Sequence, residues 1–132
     1  RGKKLEAVYR WELSDGPEYC ASCREVYAQE GRNPPCSGCE YERPALMDGN
    51  REAWYLWRHT QTQLRTSFEG VVGLDYTALR QVAEVLGIVL DLAMLHKMQT
   101  LEGLLLKEAN RSSGKQRNIR CHTGKGLCDS RI

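Results

Sequence analysis

The sequence predicts a mainly α chain in three parts: an N-terminal segment holding a cysteine knuckle (residues 1–43), a three-helix bundle (44–109) and a disordered basic C-terminal tail (110–132). Three observations predict it. Apolar residues recur at spacings of three and four between Asp48 and Glu108, the period of helices that bury one face. Four of the six cysteines form two regularly spaced pairs between residues 20 and 39. After Asn110 the apolar periodicity stops and positive charge accumulates.

Length and composition frame these parts. A chain of 132 residues, 41% apolar and 27% charged, is the size of one domain with a small appendage and has the balance of a globular protein. The longest apolar stretch, Leu86 to Leu90, contains a glycine and is far short of the ~20 residues a bilayer requires. The chain starts at Arg1-Gly-Lys-Lys without a methionine or a following apolar run, so nothing reads as a secretory signal, and a fragment or part of a longer product is expected. The formal charge of +2 is uneven: residues 110–132 carry six Lys or Arg against Asp129 alone, leaving 13 positive and 16 negative groups before them. An acidic body argues against a domain whose main work is gripping phosphates.

Residues 5–13 alternate loosely enough for either a short strand or a helical lead-in, and Ser14-Asp-Gly-Pro17 breaks the run. The array Cys20-x-x-Cys23, twelve residues, Cys36-x-x-Cys39 follows. Two residues between thiolates let one tight turn aim both sulfurs at a single ion, and two such turns supply the four-sulfur tetrahedron that Zn²⁺ prefers. Disulfides, a degenerate metal-free knuckle and an iron centre with the same ligands are the alternatives. With no export signal, the metal is favoured. Thiol–disulfide catalysis is disfavoured, because no thioredoxin-like βαβ pattern surrounds the pairs. Turn residues Gly31, Pro34, Pro35 and Gly38 suit the knuckle, and Arg24, Arg32 and Arg43 lie near enough in sequence to offset the −2 charge of a four-thiolate zinc site. Cys121, His122 and Cys128 form a weaker group at irregular spacing, read as free side chains of the tail.

Pro44 begins the linker into the helices. The first helix is expected from Asp48, with Asn50 as N-cap and Trp54, Trp57, Gln61, Leu64 and Phe68 as its stripe. Gly70 and Gly73 read as a turn. Asp75 caps a second helix carrying Leu79, Val82, Ala83 and Leu86 on one face, and Gly87 suits a left-handed stop with Ile88 as its apolar contact. Asp91 starts a third helix with Leu92, Leu95, Met98, Leu101 and Leu105 as its stripe, running to about Glu108. Arg65 and Asp75 are read as a charge pair holding the turn between the first two helices.

Little here promises catalysis. His59 and His96 stand singly, no zinc-protease, serine-hydrolase or phosphate-loop motif occurs, and Gly124-Lys-Gly is too short to count. The chain is therefore expected not to be an enzyme. Residues 79–88 followed by a helix resemble the start of a helix-turn-helix. The following helix, however, presents Asp91, Glu102 and Glu108 against Lys97 and Lys107 on a leucine-rich surface, poor chemistry for a DNA groove.

Read as strings, Cys36-Ser-Gly-Cys39, Asn50-Arg-Glu-Ala-Trp-Tyr-Leu-Trp57, Thr60-Gln-Thr-Gln63-Leu-Arg65, Gly70-Val-Val-Gly73-Leu-Asp-Tyr76 and Val82-Ala-Glu-Val-Leu-Gly-Ile88 resemble a family of small proteins of tailed phages and prophages. The resemblance spans about residues 20–108, with Leu64 where relatives tend to be aromatic. Relatives often carry one cysteine pair before the helices. The family's genes tend to lie among tail genes ahead of the tape-measure gene, where long-tailed phages encode tail assembly chaperones. The resemblance thus implies a protein of tail assembly in the bacterial host cytoplasm, touching the tape-measure protein or another chaperone. It supplies no catalytic residues. Tyr55, Tyr76, Leu104 and Leu105 are the expected partner-binding positions; Cys20, Cys23, Cys36 and Cys39 the expected zinc ligands. A zinc-containing helix-turn-helix DNA regulator is the alternative; no membrane role is expected and the oligomeric state stays open.

Overall fold

The N-terminal residues whose type the alternation leaves open form a helix, α1 (Lys3–Glu12). Leu5, Val8 and Tyr9, one turn apart, are buried, while Glu6 and Arg10 form an i,i+4 ion pair at 2.7 Å on the exposed side. The computed structural model describes residues 3–123, with side chains described through Arg111. The further elements are α2 (Gly16–Gln29), α3 (Asp48–Thr60), β1 (Leu64–Ser67), β2 (Gly70–Leu74), α4 (Tyr76–Leu86) and α5 (Leu92–Thr123).

The first cysteine pair lies on a helix, α2, and not on the tight turn expected of a knuckle. Pro17 in the first turn loses no hydrogen bond there, the residues after it are mostly good helix formers, and Gly31 leaves the helix in the left-handed region at φ +66°. A spacing of three serves either geometry, since it puts both sulfurs on one helical face.

α3 begins at Asp48, so Asn50 is not its N-cap; Asn50 lies buried in the first turn, its backbone N–H donating to Met47 O at 2.8 Å. The helix stops at Thr60, whose buried hydroxyl donates to Leu56 O at 2.8 Å. Leu64 and Phe68 therefore do not extend its stripe. They belong to a hairpin in which β1 and β2 pair antiparallel, Thr66 opposite Val71 and Ser67 opposite Gly70, with Phe68 and Glu69 as the loop. Gly70 takes φ +117°, a conformation closed to ordinary side chains. The register shifts between Arg65, opposite Gly73, and Thr66, opposite Val71, so Val72 is the extra residue of a bulge. The predicted turn at Gly70–Gly73 is thus a strand.

α4 is built as expected. Asp75 Oδ1 accepts from the N–H groups of Thr77 and Ala78 at 3.0 and 3.1 Å, and Gly87 closes the helix at φ +69° with Ile88 N donating to Ala83 O at 2.9 Å. Asp91 caps α5 through its side chain, accepting from Met94 N at 2.8 Å.

The core joins α1 (Leu5, Val8, Tyr9), α3 (Trp54, Leu56, Trp57), β2 (Leu74), α4 (Leu79, Ala83) and α5 (Met94, Met98, Leu101). α5 is its axis, packed against α1, α3 and β2. The expected three-helix bundle is therefore four helices and a hairpin, with α2 attached through α1. On α5 the buried line runs through Met94, while Leu92 is exposed and Leu105 half-buried. Its backbone is helical to Thr123, past residue 110 where the apolar periodicity stops. Residues 124–132, with Cys128, lie outside the described residues, as do the side chains of Cys121 and His122. No helix among the described residues is long and apolar enough to cross a membrane.

Candidate metal centre and contact surfaces

The four cysteines at positions 20, 23, 36 and 39 line one cavity of about 400 Å³. Cys20 and Cys23 reach it from α2. Cys36 and Cys39 reach it from a turn closed by Cys39 N donating to Cys36 O at 3.1 Å, with Gly38 at φ +77°. All four are free thiols; Cys36 is exposed and the others half-buried. As placed, no three His, Cys, Asp or Glu side chains among the described residues stand close enough together to hold an ion. The thiols share a space without forming a coordination sphere. The donor set itself suits the group: four sulfurs, cations at the wall, and a partly dry aromatic lining.

Trp11, Tyr41 and Gly16 tie this cavity to α1, a connection sequence reading missed. Trp11 Nε1 donates to Tyr41 O at 2.9 Å, and Cys20 Sγ donates to the same oxygen at 3.4 Å. A Cβ on Gly16 would sit 2.5 Å from Trp11 Nε1, so only glycine lets α2 start against the indole. Tyr19 and Tyr41 stack with centroids 4.0 Å apart. The negative charges that Cys39 and then Cys23 would carry as thiolates push the Tyr19 phenol upward. Of the three arginines proposed to offset a four-thiolate charge, Arg24 and Arg43 line the cavity, with Arg43 also over the Trp11 ring at 5.7 Å and 3.3 Å from Glu12. Arg32 instead pairs with Glu30 and lies over Tyr27 at 5.6 Å.

The four expected partner positions sit in unlike surroundings. Tyr55 is half exposed on α3, edge-on to His59 at 4.6 Å. Tyr76 is half-buried, its hydroxyl donating to Glu102 Oε1 at 2.9 Å; burial first, then this bond, pushes its pKa up to about 12. Leu104 and Leu105 are half-buried against the core, and Leu104 also lines a cleft between α1 and α5.

Glu102, read in the sequence only as a charge on the third helix, is a staple. Its second oxygen accepts from Leu74 N at 2.8 Å, so one carboxylate binds β2 and α4 to α5. Gly73 leaves it room: a Cβ there would lie 2.9 Å from Glu102 Oε2. Arg65 lies beside this group, 3.8 Å from the same position, and not in an ion pair with Asp75, whose side chain is spent on the α4 cap. The available signal was position: Glu102 follows Met98 by four on the inner side of α5.

Residues 45–109 match the family model of a phage-related hypothetical protein (DUF1799). This part of the chain is phage-related sequence. The match takes in α3, the hairpin, α4 and α5 as far as Ala109, so the Glu102 staple lies inside it and the cysteine cavity outside, a narrower span than the resemblance from residue 20. No curated protein and no solved structure matches the chain significantly.

Proposed function

We propose that this is a non-enzymatic phage protein that works by protein–protein contact during tail assembly in the host cytoplasm, with a structural zinc ion held by Cys20, Cys23, Cys36 and Cys39. The observation that carries the metal reading is the convergence of four free thiols, from two segments up to nineteen residues apart, on one cavity. Cys20 and Cys23 on α2 and Cys36 and Cys39 on the turn would hold the ion, which would supply a cross-link between the two; Trp11 Nε1 and Cys20 Sγ already meet at Tyr41 O, on the side of α1. Arg24 and Arg43 face the charge the thiolates acquire.

Binding rather than turnover rests on the sequence: His59 and His96 stand singly and no zinc-protease, serine-hydrolase or phosphate-loop motif occurs. The tail-assembly role rests on the phage-related match and on the gene neighbourhood that the family resemblance implies. The helix-turn-helix alternative is less favoured, because α5, its would-be recognition helix, is the axis of the core.

Elemental analysis of the purified chain should give one zinc per molecule, and Cys36→Ser should remove it. Co-expression with the tape-measure protein of the same phage should capture that protein, with no salt-sensitive shift of duplex DNA. A metal-free native chain removes the zinc centre; a DNA shift without capture removes the assembly role.

A further inference from the structure

The cleft between the end of α1 and residues 104–111 of α5 combines apolar and cationic side chains. It measures about 280 Å³ and is lined by the apolar Leu13 and Leu104 and by the charged Arg10, Lys107, Glu108 and Arg111. Three of its four charged groups are cations, yet residues 1–111, which include all of them, carry 14 positive against 16 negative groups. A cationic cleft on an acidic body concentrates field at that place and selects for anions there. The cations are only partly committed. Arg10 pairs with Glu6 at 2.7 Å and Arg111 with Glu108 at 3.9 Å, and the Arg10 and Arg111 side chains each stay 61% exposed. Such exposed pairs contribute little and give way to a better partner. Lys107 forms no ion pair among the described residues.

The apolar part of the lining decides which anion. Leu13 is 59% exposed at the end of α1, an open apolar surface beside the guanidinium groups. A free phosphate or a nucleic-acid backbone gains nothing from it. A peptide that sets a leucine-like side chain between carboxylates matches both parts, and the volume takes one such side chain. Tyr9, itself buried, is part of the same wall.

We infer that the α1–α5 cleft is the docking site for an acidic, apolar-anchored peptide segment of a protein partner. This names the partner chemistry of the binding reading above and rests on it. The test is fluorescence anisotropy on the full chain, as purified, with a labelled twelve-residue peptide of repeating Glu-Glu-Leu. Two control peptides replace every Glu by Gln or every Leu by Ser, and a twelve-nucleotide single strand serves as the nucleic-acid probe. The Glu-Glu-Leu peptide should bind at least tenfold more tightly than either control, and Lys107→Glu with Arg111→Glu should weaken it at least tenfold. Leu13→Ser, an exposed change that leaves the fold intact by circular dichroism, should weaken it severalfold. Unchanged affinity in the double variant, equal binding of the Ser peptide, tighter binding of the single strand, or no binding of the Glu-Glu-Leu peptide would each overturn the assignment. The readout needs neither zinc nor a phage component. Peptide binding without capture of the tape-measure protein therefore upholds the cleft and removes the tail assignment, and capture that survives the double variant does the reverse.

Discussion

At the residue scale, Tyr76 and Glu102 show how one half-buried polar pair can hold several elements. The carboxylate accepts from a phenol on α4 and from the Leu74 N–H of β2, and hydrogen bonds to a charged group are worth roughly 1.5–3 kcal/mol each. The pair also has a pH signature. The phenol's pKa, about 12, lies above its ordinary value of 10.0 because burial and the Glu102 bond favour the neutral form, with Arg65 and Gln99 opposing. A group whose folded pKa is raised contributes stability that is complete below the unfolded value and is lost as pH climbs through the folded one. Urea midpoints should therefore hold from pH 7 to 9 and fall between pH 10 and 12. Tyr76→Phe should lower the midpoint at pH 7, by loss of the donor to Glu102, and make the alkaline fall shallower; the upward-shifted Tyr9 leaves a residue of it. An equally steep fall in the variant would assign the alkaline loss elsewhere.

At the element scale, what could be read from the sequence followed from which signals are unambiguous. α4 was legible end to end because Asp75 and Gly87 each have a single backbone job there, one as cap and one as left-handed stop. The hairpin was not. Leu64 and Phe68 are four apart, and four is close to one helical turn yet is also an even number, so the spacing fits one face of a helix or of a strand equally well. The chain settles it with Thr62 and Thr66, which favour extended backbone, and with Gly70 at φ +117°. Phe68 ends fully exposed at the loop. The cysteine spacing did not reveal that one pair stands on a helix and the other on a turn, because a spacing of three suits both. The consequence is local. Cys36 is held by its turn and cavity, whereas α1 is held by Leu5, Val8 and Tyr9 in the core. Hydrogen exchange on Cys36→Ser should show lost protection across residues 16–43, with α1 and α3 unchanged, since α2 touches the body through α1 alone among the elements with substantial contact. Loss of protection in α1 as well would mean that the Cys36 turn supports the whole N-terminal half.

At the scale of the whole molecule, the family segment and the folding unit are not the same. The phage-related match begins at residue 45, where sequence reading also placed a boundary, because Pro44 follows the cysteines and helical periodicity starts soon after. The core crosses that line. Tyr9 meets Trp57 edge to face at 6.1 Å, and Leu5 and Val8 are fully buried against the same cluster. α1 could not be placed there from its own residues, since a ten-residue amphipathic stretch carries no address, only a face to be covered. Burying an aliphatic or aromatic side chain is worth about 1.5–3 kcal/mol, so three of them supply on the order of 5 kcal/mol or more, against a total stability of about 5–15 kcal/mol for a domain. A chain shortened to residues 45–132 should therefore lose cooperative thermal unfolding, bind a hydrophobic dye and show red-shifted emission from Trp57. Adding the peptide of residues 1–13 at high concentration should restore part of the blue shift, because it returns the missing face to α3 and α5. A shortened chain that melts cooperatively at the full-length midpoint would make α1 an ornament of the core and not a part of it.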